Sequence, residues 1–217
     1  MKLFRIALAS AALLLAACDQ KPVRAAYTVV PISPFMDSPV LGDPNAPVEL
    51  TEYASTTCGH CKAFHDEVFP LLKSKYIDTG KVKLVWAVMP TQPTAISLAG
   101  AAIARCAGER QFFPAIDALF DAQDTLFEVA SDPPKLQQEL VAIGGKFGLT
   151  PDQVGTCIDS KDILALTRDT VKNAPASITG TPSFVIKGEK LDIETFEGLA
   201  AAIDAELARV AQPAAPI

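Results

Sequence analysis

Two cysteines separated by two residues, Cys58-Gly59-His60-Cys61, fall where the chain changes its period, and that placement constrains the fold more than any other feature. Before them, Val48-Glu49-Leu50-Thr51-Glu52-Tyr53-Ala54 has the composition of a strand, entered through the turn-forming run Gly42-Asp43-Pro44-Asn45-Ala46-Pro47. After them, Phe64, Val68, Leu71 and Leu72 recur at helical spacing. The pattern predicts a strand, a turn through Ser55-Thr56-Thr57, and a helix that opens at Cys58, with Pro70 kinking it further on. Unpaired N–H groups and the positive end of the helix dipole favour a thiolate over a thiol there, so Cys58 is the candidate nucleophile. Cys61 lies one turn deeper and is the candidate resolving thiol. His60, between them, is expected to donate a hydrogen bond to the Cys58 thiolate or, when protonated, to add positive charge. Both effects favour the reduced pair. For a two-electron couple 30 mV corresponds to about 1.4 kcal/mol, so a few hydrogen bonds suffice to make a Cys58–Cys61 disulfide oxidising.

Lys2 and Arg5 precede an apolar run from Ile6 to Ala17, which reads as an export signal too short to span a bilayer comfortably. The run closes on Leu15-Ala16-Ala17-Cys18, similar to the bacterial lipobox, in which the chain is cut before a cysteine that then carries lipid. The expectation is a signal over 1–17, lipid on Cys18, and a proline-containing tether over 18–39, with Tyr27 to Val30 as a candidate edge strand. Asp19 points to retention at the inner membrane. An ordinary cleaved signal is the alternative. The net charge of −6, with scattered basic residues, gives no electrostatic footprint for nucleic acid. Apolar residues make up 49% and charged residues 20%, the balance of a packed domain rather than a disordered chain.

Five cysteines are an odd number for an exported chain, and lipid on Cys18 leaves four, which pair in three ways. A Cys58–Cys61 bond closes too small a ring to stabilise much and suits exchange chemistry. Cys106 and Cys157 then remain as a structural pair whose long loop contributes roughly 4 kcal/mol in the chain-entropy account.

In these features the chain resembles the thioredoxin superfamily, and more closely the DsbA-like bacterial thiol-disulfide oxidoreductases. The resemblance rests on Gly42 to Pro47 before a strand, Cys58-Gly59-His60-Cys61, the segment Tyr76 to Val82, a helical region bearing Cys106, and Gly180-Thr181-Pro182-Ser183-Phe184-Val185-Ile186. It implies a cis Pro182 facing the cysteine pair and Thr181 offering main-chain groups to a bound peptide. It also implies that Glu52, six residues before Cys58, is a buried acid relaying protons to and from Cys61, against the plain reading of an exposed strand carboxylate. Lys83 either neutralises that acid or points to water. No cofactor beyond the Cys58–Cys61 disulfide is implied. The partners implied are thiols of unfolded exported proteins and a re-oxidising protein in the membrane. The chain departs from DsbA, which has Pro-His between its cysteines and Val before its cis-proline. Gly-His and Thr are found in disulfide isomerases, so oxidase and isomerase or reductase both stay open. With no dimerisation region before residue 40, a monomeric oxidase is favoured.

The fold expected is α/β: a thioredoxin fold with an inserted all-helical subdomain. Residues 40–92 and 177–210 form the thioredoxin part, 93–176 the helical insertion, and 211–217 a frayed tail. Lys83 to Val88 and Ser183 to Lys187 read as strands, and Glu189 to Leu191 as a hairpin partner. Leu136, Leu140 and Ile143 mark one inserted helix, Thr150-Pro151 caps the next, and Ile163, Leu166 and Val171 mark another. Phe196, Leu199, Ile203, Leu207 and Val210 give an amphipathic last helix. Phe112, Phe113, Phe120 and Phe127 are read as core, and His65 as an exposed helix residue. Two other functions compete. Cys58, Cys61 and His65, with His60 or Glu52, are ligand types for a metal, although no second Cys/His pair follows at zinc-finger spacing. Haem attachment fails because Lys62 stands where a histidine is needed. The other rival is an exported domain with an inert Cys58–Cys61 bond.

Overall fold

The structure, a computed structural model, describes residues 33–193 and 195–212; the signal, Cys18 and the candidate strand at Tyr27 to Val30 lie outside the described residues. Five strands form one sheet in the order β1-β3-β2-β4-β5, made of β1 (Val40–Leu41), β2 (Val48–Ala54), β3 (Val82–Val88), β4 (Ser183–Ile186) and β5 (Glu189–Lys190). The β2–β3 pair is parallel and the other pairs are antiparallel. Strand β2 is therefore central, with Glu52 opposite Trp86 on one side and Phe184 on the other.

Period-2 alternation decides what β2 presents. Val48, Leu50, Glu52 and Ala54 are buried in one row, while Glu49 is exposed. Glu52 shares the apolar face and not the face of Glu49 and Thr51, which is why it is fully buried. The turn into β2 depends on Gly42, whose φ of +100° suits glycine and whose Cβ would lie 2.8 Å from Ile77 Cγ2.

Helix α1 (Gly59–Glu67) follows β2, and α2 (Phe69–Leu72) carries Pro70 in its first turn, where the missing N–H costs nothing. The expected kink is a break between two helices, followed by a π-helical stretch, Lys73–Ile77. Six α-helices separate β3 from β4: α3 (Thr94–Ala107), α4 (Phe112–Asp121), α5 (Gln123–Glu128), α6 (Pro133–Gly145), α7 (Pro151–Ile158) and α8 (Lys161–Asn173). Thr150 begins α7 with the expected cap, its hydroxyl accepting from Gln153 N–H while the Gln153 side chain accepts from Thr150 N–H. Helix α9 (Phe196–Val210) ends the described fold, burying Leu199 and Ile203.

The core runs through both parts. Leu50, Leu84, Leu119 and Ile203 are wholly buried, and each full burial of such a side chain contributes about 1.5–3 kcal/mol. A smaller cluster of Ala102, Cys106, Cys157 and Ile163 surrounds the Cys106–Cys157 disulfide, which ties α3 to α7. Phe112, Phe113 and Phe120 are core, but Phe127, Val171 and Val210 are about two-fifths exposed, because the helices turn these positions outward. Part of the segment assigned to the tether belongs to the fold. Phe35 N–H donates to Arg105 O, the buried Arg105 guanidinium donates to the carbonyls of Phe35 and Asp37, and Pro39 O accepts from Trp86 N–H. Among the described residues, no helix is long and apolar enough to cross a membrane.

Candidate active site

The turn from β2 to α1 is held from below before it presents any chemistry. Ser55, Thr56 and Thr57 are buried, and the Ser55 hydroxyl is the hub, 2.8 Å from Ser97 Oγ and 3.0 Å from Thr57 Oγ1. It also accepts from the N–H of Thr91. Gln123 on α5 donates to Thr56 O at 2.9 Å. Gly100 on α3 packs against the same turn so closely that a Cβ there would lie 2.6 Å from Thr56 Oγ1. Nothing in the sequence marks this buried hydroxyl network or its glycine; Ser55-Thr56-Thr57 reads only as a turn.

On that support Cys58 is the N-cap of α1, its extended backbone aiming Sγ back at the first turn. Cys61 N–H donates to Cys58 Sγ at 3.4 Å, and Cys58 S–H donates to Thr181 O at 3.2 Å. Both cysteines are thiols in this structure, Cys58 half-buried and Cys61 fully buried. The Cys61 thiol, hydrogen-bonded to Cys58, pulls the Cys58 pKa down to about 5; burial opposes this, and the Thr181 side chain and the main-chain N–H groups of Cys61 and His60 reinforce it. The Thr181 carbonyl favours the thiol, so this acidity comes from the donors and not from that contact. Burial drives Cys61 the other way, well above the ordinary thiol range, with its hydrogen bond to Cys58 and the nearby Glu52 carboxylate adding to the rise. The pair is split into an acidic, reachable sulfur and an inert, covered one.

What His60 gives the Cys58 thiolate here is its main-chain N–H, while its ring lines an adjoining groove. That groove, about 520 Å³, is walled by Phe64, Thr181, Pro182, Phe184 and Leu199. The Thr181–Pro182 peptide is cis, as is Gln92–Pro93.

His65 departs from the expectation of an exposed helix residue. It is buried, not exposed, because α1 turns it to the same side as Cys61, one turn away and against the sheet. Its ring stacks on Phe69 at 4.7 Å and meets Phe120 at 4.8 Å. Nε2 donates to Glu52 Oε2 at 3.2 Å, and Nδ1 faces Asp117 Oδ1 at 3.7 Å, an ion-pair distance rather than a hydrogen bond. Burial works against a charged ring, but the carboxylates of Glu52 and Asp117 outweigh it and raise His65 to about 9. Lys83 is not the partner of Glu52: it pairs with Glu49 at 3.1 Å and donates to Pro44 O. With Nε2 turned to Glu52, His65 is not gathered with the two sulfurs, and no metal-holding cluster of His, Cys, Asp or Glu is found among the described residues.

A reachable, acidified cysteine capping a helix above a buried partner, opposite a cis-proline turn, defines a dithiol site. Known proteins agree with that class. A family model described as Thioredoxin matches residues 36–205. A Rickettsia typhi protein named as a protein-disulfide oxidoreductase is 33% identical over 171 residues, covering 77% of this chain and 61% of its own length. The chain thus spans about three-fifths of that rickettsial relative. Disulfide bond formation protein D of Bacillus subtilis is 26% identical over 156 residues, 68% of this chain and 67% of that protein. The crystal structure of Wolbachia pipientis alpha-DsbA1 superposes with a TM-score of 0.70 at 30% identity, covering 82% of this chain and 94% of that one. The chain belongs to the thioredoxin family and, within it, to the DsbA-like proteins.

Proposed function

We propose that the protein is an exported thiol-disulfide oxidoreductase that donates its Cys58–Cys61 disulfide to cysteine pairs of unfolded or partly folded secreted proteins. A client thiolate attacks Cys58 Sγ, the Cys58–Cys61 bond breaks, and Cys61 leaves with the electron pair and takes up a proton. The second client thiolate then attacks the client sulfur of the mixed disulfide and displaces Cys58 as a thiolate. Two electrons pass from client to protein, and a membrane partner removes them to close the pair again.

The observation that carries this reading is the split between Cys58, near 5, and Cys61, far above its ordinary value. A stable thiolate is a good leaving group and favours the reduced pair, which makes the disulfide an electron acceptor. The names of the rickettsial and Bacillus relatives support the class of reaction. The groove beside His60, Thr181 and Pro182 is the proposed seat of the client chain. Attachment through lipid on Cys18, on the periplasmic side of the inner membrane, completes the proposal and suits a protein re-oxidised by a membrane partner.

Replacing Cys61→Ala in cells tests it: covalent mixed disulfides between Cys58 and secreted proteins should accumulate, and the wild-type pair should be mainly oxidised when thiols are trapped. A mainly reduced pair, or a reduction potential below about −250 mV, contradicts donation and favours an isomerase or reductase.

A further inference from the structure

We propose that His65, together with Glu52 and Asp117, forms the route by which the proton of Cys61 leaves and re-enters the protein, His65 being a positioning residue for thiol exchange. The proposal rests on the oxidoreductase reading above.

The need for a route follows from burial. Cys61 has no exposed surface, yet each cycle makes it alternately a thiol and half of a disulfide, so a proton must cross the protein each time. While Cys58 is free, its thiolate accepts a proton from Cys61 directly. In a mixed disulfide Cys58 has no charge to accept one, and this is the state from which Cys61 must attack. The Ser55 main-chain N–H donates to the Cys61 sulfur and cannot accept a proton; the acceptor whose charge bears on Cys61 is the carboxylate of Glu52, fully buried. One carboxylate oxygen is taken by His65; the other, Oε1, has no hydrogen-bond partner among the described residues and is open to a proton.

From Glu52 inward to outward the order is fixed. Phe64, Phe69, Trp86 and Phe120 enclose the His65 ring, so its two nitrogens are the polar points in an apolar wall. Nε2 meets Glu52 on β2; Nδ1 meets Asp117 on α4, whose side chain is 56% exposed. These two carboxylates are the charged groups that face the ring, one sealed and one in water. At 3.7 Å the Nδ1–Asp117 gap is too short to hold a water, and a small movement of the exposed Asp117 side chain closes it to a direct hydrogen bond.

The step balances. As Cys61 attacks Cys58 and the displaced thiolate departs with the electron pair, Glu52 Oε1 takes the Cys61 proton and Nδ1 gives one to the Asp117 carboxylate, which releases it to solvent. Opening of the disulfide by a client runs the same transfers backward. A buried ion pair kept only for packing needs no exposed carboxylate on the far nitrogen.

The test is ring closure in the mixed disulfide. Reduced full-length protein is mixed with excess oxidised glutathione, quenched in acid at intervals and resolved by mass, which separates attack by Cys58 from release of glutathione by Cys61. His65→Gln should slow closure by about tenfold or more near neutrality, the deficit shrinking as pH rises and hydroxide takes the proton instead, with the attack step unchanged. Asp117→Asn, an exposed change that leaves the fold intact, should show the same pH-dependent deficit at about threefold, and carries the test if His65→Gln does not fold. Closure at the wild-type rate in both variants, or slowing by one constant factor at every pH, overturns the route. If wild-type protein forms no mixed disulfide with oxidised glutathione, the oxidoreductase reading itself has failed.

Discussion

Glu52 on β2 and His65 on α1 meet at 3.2 Å with 0% and 3% of their side chains exposed, directly behind the cysteine pair. Two charges so placed are costly to strand. Replacing His65→Leu keeps much of the volume within the aromatic cage but leaves Glu52 without a counter-charge, and should destabilise the protein by about 3–5 kcal/mol. The double change Glu52→Leu with His65→Leu should restore most of that loss. Urea unfolding of the oxidised forms measures both, and equal losses in the single and double variants would rule the pairing out.

The same pair sets a pH dependence. His65 is raised to about 9 in the fold from an ordinary 6.5, so its contribution is fully present below about 6.5 and is lost as pH rises through 9. Oxidised wild-type protein should lose stability between these values. His65→Gln should lack that component; an unchanged alkaline limb in the variant would refute the assignment.

Cys58 acts in the opposite sense. Its folded value lies below its ordinary 9.0, so the thiolate stabilises the reduced protein in full above about 9, and that stabilisation disappears as pH falls through about 5. The reduction potential should therefore fall by about 30 mV per pH unit above that point and by about 59 mV below it, as one or two protons accompany two electrons. Redox titration from acid to neutral pH locates the break.

Much of this site is legible in the sequence, for identifiable reasons. The switch from alternation in Val48 to Ala54 to helical spacing in Phe64 to Leu72 places Cys58 at a helix start without any tertiary information. Glu52 is harder, because its burial depends on which row of β2 faces the helices; its spacing from Val48, Leu50 and Ala54 contains that answer. His65, four residues past Cys61, reads as exposed, yet it shares the row of Cys61 and Phe69, and a buried acid needs a partner. The Ser55 network joins residues more than thirty positions apart, and Gly100 matters only through what packs against it.

Gly100→Ala makes that last contact measurable. The added Cβ would lie 2.6 Å from Thr56 Oγ1, in a turn held through the Ser55 and Thr57 hydroxyls and the Thr56 carbonyl, so α3 or the active-site turn must shift. The expected loss is about 1–3 kcal/mol, with a change in Cys58 reactivity that a distant overpacked site would not produce. Thiol labelling rates and unfolding curves of this variant give both numbers.

The Cys106–Cys157 bond is expected to act on stability alone. It bridges 51 positions between α3 and α7, and replacing both cysteines by alanine should cost roughly 4 kcal/mol. Cys58 acidity should not change. A large shift of Cys58 in that variant would place the second disulfide in the redox chemistry.

Absorbance of the thiolate, followed against pH in reduced protein with Cys106–Cys157 intact, tests the central claim most directly. The account predicts a midpoint for Cys58 at about 5, with Cys61 still protonated well above neutrality. A midpoint near 9, the ordinary value for a cysteine, would contradict it.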